Sequence, residues 1–309
     1  MFFEGSEKRV EVLVSPTTRS LRLLDEQFWS DVVACADAEV LSKMGNECCD
    51  AYLLSESCLF VWDDKFLMLT CGTTTLVDAV IFFVDKLGES AIASVSYQRK
   101  SEYLSHLQTS SFEEDLSRLR TKLSGSAYRV GHLDTHHHYI FTSDPQTQPL
   151  KVKSNSELLM YHIKGEVADY LRSDAQSCEG IRELLALEHL FPDFCFDDHL
   201  FTPFGYSING LWEDKYMTIH ITPQEQSSYV SIETNLHFEL YPFNIFSALL
   251  NKLNPQSWDV IGFNRQVITD GFPPFVSVAS CALPINNNET VQFNQYQQLN
   301  SELLQPELL

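Results

Sequence analysis

Four short stretches of the chain combine residue types that can do chemistry. In Tyr52-Leu53-Leu54-Ser55-Glu56-Ser57-Cys58-Leu59-Phe60-Val61, hydroxyls and a carboxylate interrupt an apolar run. Polar groups in such a setting need partners or a purpose; read alone, they suit the outward face of a half-buried strand. In Thr70-Cys71-Gly72-Thr73-Thr74-Thr75 a cysteine ends a strand just before a helix start. The positive end of a helix dipole can lower a thiol pKa and make it a proton donor or nucleophile; a buried, inert cysteine is the commoner alternative. The third stretch is Phe201-Thr202-Pro203-Phe204-Gly205-Tyr206-Ser207-Ile208-Asn209-Gly210. The fourth is Thr218-Ile219-His220-Ile221-Thr222-Pro223, followed by Ser228–Asn235. His220 lies between two isoleucines and faces away from them; a lone strand histidine is usually a satisfied structural residue. In the triplet His136-His137-His138 only the first and third could share a ligand, and the triplet reads as a solvated strand end, with no metal assigned.

Hydrophobic periodicity supplies the elements that must position these groups. Lys8–Ser15 alternates, with Val10, Val12 and Val14 on one face and Arg9, Glu11 and Leu13 on the other, as a half-buried strand does. Ser20–Ser42 is predicted helical. Tyr52–Val61 and Phe66–Thr70 read as a hairpin turning at Trp62–Lys65. Gly72–Leu87 repeats apolar residues at helical spacing, and Ala91–Gln98 alternates. Ser111 and Glu114 form a capping-box pattern before a helix ending near Leu123. Further strands are expected at Ala127–Leu133, His138–Thr142, Glu157–His162, Tyr206–Leu211, Met217–Thr222, Tyr229–Thr234, Trp258–Phe263 and Phe275–Leu283, and helices at Gly180–Leu187 and Pro242–Leu253. The Asn- and Gln-rich stretch 286–309 reads as a loose tail after a single domain spanning 1–285. Strand groups followed by helices in both halves imply an α+β fold with mostly antiparallel sheets.

Composition narrows the function classes. A chain of 309 residues with 44% hydrophobic residues has enough apolar material for a sizeable core. Its 21 basic against 42 acidic residues give a net charge of −21, which argues against nucleic acid or an anionic membrane as the main partner. No apolar run reaches the roughly 20 residues of a membrane span, and the N-terminus does not read as a secretory signal. Eight cysteines without a CxxC pair suggest free thiols and a cytoplasmic protein.

Taken together, the four stretches resemble the eukaryotic-type S-adenosylmethionine decarboxylases, a family of self-processing pyruvoyl enzymes. Leu-Ser-Glu-Ser at 54–57, Thr-Cys-Gly-Thr-Thr at 70–74, Gly-Tyr-Ser-x-Asn-Gly at 205–210 and His-Ile-Thr-Pro at 220–223 stand in that family's order and spacing. Phe3-Glu4-Gly5-Ser6-Glu7-Lys8 matches its opening motif, and Gly180-Ile181-Arg182-Glu183-Leu184 is a further anchor. The resemblance runs from about residue 2 to 263, with no match recognised beyond.

The resemblance implies a four-layer αββα sandwich, two face-to-face antiparallel sheets flanked by helices, built from two similar halves. It implies scission between Glu56 and Ser57 into a β chain (1–56) and an α chain (57–309), with Ser57 becoming a pyruvoyl group that forms a Schiff base with the substrate amine. Ser207 and His220 match the processing residues, His220 as base, and Cys71 matches the proton donor. Phe3 and Phe201 match the aromatics that sandwich adenine, the Leu54 backbone a contact to the adenine edge, and Glu56 a residue lining the cleavage site. Glu4 and Glu7 match acids near the site. Gln224 stands where the family has a ribose-binding glutamate, with Glu225 next to it, and Phe204 replaces a frequent cysteine. Glu11, Glu157 and Glu233 match acids that bind putrescine in animal members, but Lys153 and Asn155 replace an aspartate and a threonine there. Activity independent of putrescine is therefore expected. No metal, nucleic acid or membrane partner is implied, and processed units could be monomers or homodimers. Rival readings are a pyruvoyl decarboxylase for another amino acid, a non-catalytic regulatory homologue and a cysteine hydrolase using Cys71 and His220.

Overall fold

The computed structural model describes residues 5–144, 154–225, 227–286 and 289–299. Strand β1 (Lys8–Val14) leads through helix α1 (Glu26–Cys35) to β2 (Val40–Gly45), β3 (Asp50–Leu54), β4 (Ser57–Val61) and β5 (Lys65–Thr70). Helix α2 (Leu76–Leu87), β6 (Ile92–Lys100), α3 (Phe112–Leu119), β7 (Gly125–Gly131) and β8 (His137–Ser143) complete the first half. The second half runs β9 (Asn155–Tyr161), α4 (Glu166–Leu171), α5 (Cys178–Leu185), α6 (Leu187–Leu190), β10 (Cys195–Leu200), β11 (Tyr206–Trp212), β12 (Lys215–Thr222) and β13 (Tyr229–Thr234). It ends with α7 (Ile245–Leu253), β14 (Ser257–Phe263), β15 (Phe275–Asn286) and β16 (Glu289–Gln298).

The strands form two antiparallel eight-stranded sheets, ordered β2-β3-β4-β5-β1-β6-β8-β7 and β10-β11-β12-β13-β9-β14-β16-β15. Adding eight to each label of the first sheet gives the second, so the halves share one topology. Period-two alternation sorts each strand's residues onto two faces. Val10, Val12 and Val14 of β1 pack with Val80, Phe83 and Val84 of α2 and with Trp29 and Val33 of α1 in one outer core. Ile219 and Ile221 of β12 pack with Ile181, Leu185 and Leu249 in the other. The architecture is the four-layer sandwich expected.

The facing sides of the two sheets are buried as well: apolar clusters, Phe60, Leu67 and Leu69 with Tyr216 in one and Ile140 with Ile261 and Phe293 in the other, flank a set of buried charges. Arg9, 1% exposed, lies between the sheets and grips Glu233 through Nε–Oε2 at 2.9 Å and Nη2–Oε1 at 2.8 Å. Its Nε also lies 3.0 Å from Glu157 Oε1, and the guanidinium stacks over the Phe263 ring at 4.8 Å. Lys100 Nζ binds Glu157 Oε2 at 2.7 Å and approaches Glu7 Oε2 at 3.7 Å. Burial alone would raise the Glu233 pKa, but Arg9 beside it holds the carboxyl below its usual range. The half-buried strand expected at β1 is thus fully buried on its valine face and, at Arg9, on the other, where Glu11 and Leu13 stay partly exposed.

Three expectations change. Tyr52–Val61 is not one strand: it breaks at Ser55-Glu56 into the β3–β4 hairpin, with Leu54 paired to Ser57. The Ser20–Ser42 helix is confined to α1, started by Asp25 accepting from Phe28 N–H at 2.7 Å and followed by Asp37 at φ 59°; Val40–Gly45 becomes an edge strand. Within 286–309, the stretch expected to be a loose tail, Glu289–Gln298 is β16, held between β14 and β15. Val291 and Phe293 point into the space between the sheets, an alternation hidden by the intervening Asn and Gln. Residues 300–309 lie outside the described part.

Removing one member of a buried ion network strands the others. Arg9→Met is expected to lower the unfolding free energy by about 3–5 kcal/mol, read from the shift of the urea midpoint. An unchanged midpoint would show that the acids neutralise themselves by taking up protons.

Candidate active site at the Glu56–Ser57 turn

The β3–β4 turn is pinned on one side by Glu39, whose O accepts from Ser55 N–H at 2.9 Å while its own N–H donates to Ser55 Oγ at 3.0 Å. On the other side the Glu56 carbonyl accepts from Cys71 N–H at 3.0 Å and lies 3.3 Å from Cys71 Sγ. Two donors thus converge on the carbonyl of the Glu56–Ser57 peptide, as in sites that stabilise an oxyanion. Ser57 follows at φ 137°, a region costing a non-glycine residue about 1–3 kcal/mol. Its hydroxyl is buried and has no hydrogen-bond partner among the described residues. A buried unpaired hydroxyl on a strained residue is disfavoured twice over; both features suit a nucleophile held beside its own preceding carbonyl.

The second sheet contributes a histidine. Ser207 and His220 face each other across the β11–β12 ladder, with Ser207 Oγ 2.8 Å from His220 Nδ1. His220 Nε2 lies 2.9 Å from Thr218 Oγ1 and 3.3 Å from Cys58 Sγ, which sets the ring against the residue following Ser57. Burial pushes the His220 pKa down to about 3, so the imidazole is neutral and able to accept a proton at ordinary pH.

Cys71 behaves differently from the expectation. Helix α2 begins only at Leu76, too far along the chain for its dipole to dominate. Burial first, and then the Glu56 carboxylate, push the Cys71 thiol well above the usual range; Glu56 Oε2 is 3.9 Å from Sγ. The group is a protonated donor, not a thiolate. Burial also raises the Glu56 pKa, against the pull of the Cys71 contact and Lys8. Lys8 donates to Gly72 O at 2.9 Å and Gln108 Oε1 at 3.0 Å. Desolvation and nearby Arg99 bring its pKa to about 8.

Glu7 precedes β1 and is 1% exposed. Burial raises its pKa, and it accepts from Ser231 Oγ at 2.6 Å and Tyr229 OH at 3.1 Å. Leu54 ends β3. Phe201 sits in a loop closed by its N–H donating to Gly205 O at 2.8 Å. Gly205 has φ 150°, and a Cβ there would meet Phe201 Cβ at 3.3 Å. Gln224 is partly buried with Oε1 accepting from Ser227 Oγ at 3.2 Å. Glu225 is exposed and borders a cavity of about 680 Å³ with His136, His162, Lys164 and Arg172.

The structure therefore gathers Glu7, Glu56, Ser57, Cys71, Ser207 and His220 at one end of the sandwich. Glu11, Glu157 and Glu233 lie deeper, with Arg9 among them; Glu11 pairs with Lys65, and Asn155 donates to Glu233. Phe3, Glu4 and Lys153 fall outside the described residues. His138 is no solvated strand end: it is buried, with Nε2 3.1 Å from Asp259 Oδ2, and the His136 ring lies tilted by 33° against Tyr161 with the ring centres 3.6 Å apart. Among the described residues no group of three metal-capable side chains occurs. Sequence reading missed Arg9 and Lys100 as buried cations. The signal was present, since Arg9 alternates with the valines of β1.

Alkylation is expected to separate the thiols. At about pH 8.5, near the ordinary thiol pKa, iodoacetamide should label the exposed Cys48 and Cys195 well before Cys71, as read by peptide mass mapping. Faster labelling of Cys71 would show a thiolate instead.

The comparisons with known proteins converge on one group. A family model described as adenosylmethionine decarboxylase matches residues 1–303, well past the point near 263 where the sequence resemblance was recognised to end. The chain is 33% identical over 279 residues to an S-adenosylmethionine decarboxylase proenzyme of Trypanosoma cruzi, covering 84% of this chain and 75% of that one. A proenzyme of the same name from Drosophila melanogaster is 29% identical over 288 residues, covering 85% and 82%. The crystal structure of the Trypanosoma brucei AdoMetDC-delta26 monomer superposes with a TM-score of 0.60 at 23% identity, covering 78% of this chain and 99% of that one, which supports the fold. With a family model spanning nearly its whole length, the chain belongs to the adenosylmethionine decarboxylase family.

Proposed function

We propose that this chain cuts itself between Glu56 and Ser57 and then decarboxylates S-adenosylmethionine, yielding the aminopropyl donor for spermidine and spermine synthesis. The observation that carries the reading is the Ser57 hydroxyl, buried, unpartnered among the described residues and on a strained residue, beside a carbonyl that already accepts from Cys71. Ser57 Oγ adds to the Glu56 carbonyl carbon, the Cys71 N–H and thiol hold the developing oxyanion, and the Glu56–Ser57 C–N bond gives way to an ester. His220 takes the Ser57 α-proton, the Ser57 Cβ–O ester bond breaks so that the main-chain carboxylate of Glu56 leaves as a new C-terminus, and water hydrolyses the remaining unsaturated residue with release of ammonia. Ser207, bonded to the base, steadies the intermediate.

The residues fit a pyruvoyl group at position 57, because the orphaned hydroxyl is its precursor and a protonated thiol stands next to it. Such a group supplies an electron sink for decarboxylation. Cys71 then delivers its proton to the substrate carbon; a thiol held well above its usual pKa keeps that proton ready. Phe201, with Phe3, would clamp the adenine ring, and Glu225 or Gln224 would take the ribose hydroxyls. Glu4 and Glu7 are assigned to the acidic side of the site. Arg9 lies where Glu157 and Glu233 would otherwise call for a diamine, which supports constitutive activity. The free thiols suit a reducing compartment such as the cytoplasm.

Denaturing mass spectrometry of the purified full chain tests the cut. Two pieces split between Glu56 and Ser57, the larger carrying a pyruvoyl cap, are expected, and Ser57→Ala should stay whole. A single uncut wild-type chain would overturn the reading. Cys71→Ala should lose about 100-fold or more in carbon dioxide release. Millimolar putrescine should leave both cleavage and turnover unchanged, whereas a several-fold rise would refute Arg9 as its replacement.

A further inference from the structure

A chain of hydrogen bonds crosses from the first sheet to the base on the second. Tyr52 O, a main-chain carbonyl of β3, can only accept, so the Asn209 Nδ2 that meets it at 3.1 Å turns Asn209 Oδ1 the other way. Oδ1 lies 3.0 Å from Thr218 Oγ1, and as an acceptor it claims the single proton of that hydroxyl. Thr218 Oγ1 is also 2.9 Å from His220 Nε2 and has only lone pairs left to offer it. The Cys58 thiol at 3.3 Å is a weak donor and does not outweigh the hydroxyl. We infer that Asn209 and Thr218 are positioning residues that fix His220 in its Nε2-protonated tautomer, leaving the Nδ1 lone pair as the basic atom on the Ser207 side.

The inference deepens the proposed function and rests on its reading of His220 as the processing base. Its origin in β3 has a consequence. Tyr52 stands two residues before Leu54, on the strand that enters the scissile turn, while Asn209, Thr218 and His220 sit on β11 and β12. The base is therefore set only when the two sheets are docked. A half-folded chain would carry the nucleophile and the histidine but not the tautomer, and scission would wait for the completed sandwich.

The test uses the full chain with ¹⁵N-labelled histidine. Ser57→Ala keeps it uncut, and the His220 signals are assigned by their loss in His220→Gln. The expected spectrum shows His220 Nε2 bearing the proton and Nδ1 bare. Thr218→Val should move the proton to Nδ1, and Thr218→Ser should restore the original pattern. In chains that retain Ser57, Thr218→Val should slow fragment appearance by about 100-fold with Thr218→Ser near wild type, and Asn209→Leu should slow it in the same sense. The wild-type rate should hold between about pH 8 and pH 5, whereas an ordinary histidine would lose half its base form near pH 6.5. A wild-type His220 protonated on Nδ1, or an unchanged tautomer in Thr218→Val, would overturn the inference. A His220→Gln chain that cuts at the wild-type rate would instead overturn the base assignment, while the tautomer spectrum would still be decided on its own.

Discussion

The structure depends on a row of alternating charges sealed between its two sheets. Glu233, Arg9, Glu157, Lys100 and Glu7 follow one another from the middle of the sandwich towards the scissile turn. In water such pairs would contribute little. Out of water each charge needs its neighbour, and removing one leaves the rest uncompensated. The row therefore fixes the relative placement of the sheets more than it adds stability. The Glu56–Ser57 peptide and His220 come from opposite sheets, so the proposed chemistry depends on that placement.

Electrostatics at the site end works by excluding charge. Burial keeps His220 neutral and Cys71 protonated, the forms needed for a base and for an acid. The two groups do not exchange these forms, because each would have to create an isolated buried ion to do so. Glu7 is the one acid of the row that reaches the site, and its Tyr229 and Ser231 donors compensate part of what burial takes from it.

Much of this was legible in the chain. The valine alternation of β1, the capping box at Ser111 and the apolar neighbours of His220 each report one local rule, and each held. The motifs around Ser57, Cys71, Ser207 and His220 single out residues whose hydrogen bonds converge on the Glu56–Ser57 turn and on the β11–β12 ladder facing it. What was hidden depends on the third dimension. Arg9 reads as a solvated residue until a second sheet covers it. The turn at Ser55-Glu56 carries no glycine or proline, and its geometry is imposed by Glu39 and Cys71, distant in sequence. The β16 alternation of Val291 and Phe293 is diluted by polar residues whose other face completes the sheet. The helix-dipole argument for Cys71 failed because several residues separate it from the first turn of α2.

The strand order carries one more consequence. β1 belongs to the segment before Glu56, yet it lies between β5 and β6, both from the segment after it. It is hydrogen-bonded along its length to each of them. β3 is likewise laddered to β4. In a chain cut there as proposed, the small piece would stay woven through the middle of a sheet built mostly from the large one. It cannot diffuse away without opening that sheet on both sides. Severing the backbone therefore exchanges a covalent tether for a kinetic one, and the lifetime of the two-piece assembly is the unfolding time of the sandwich itself.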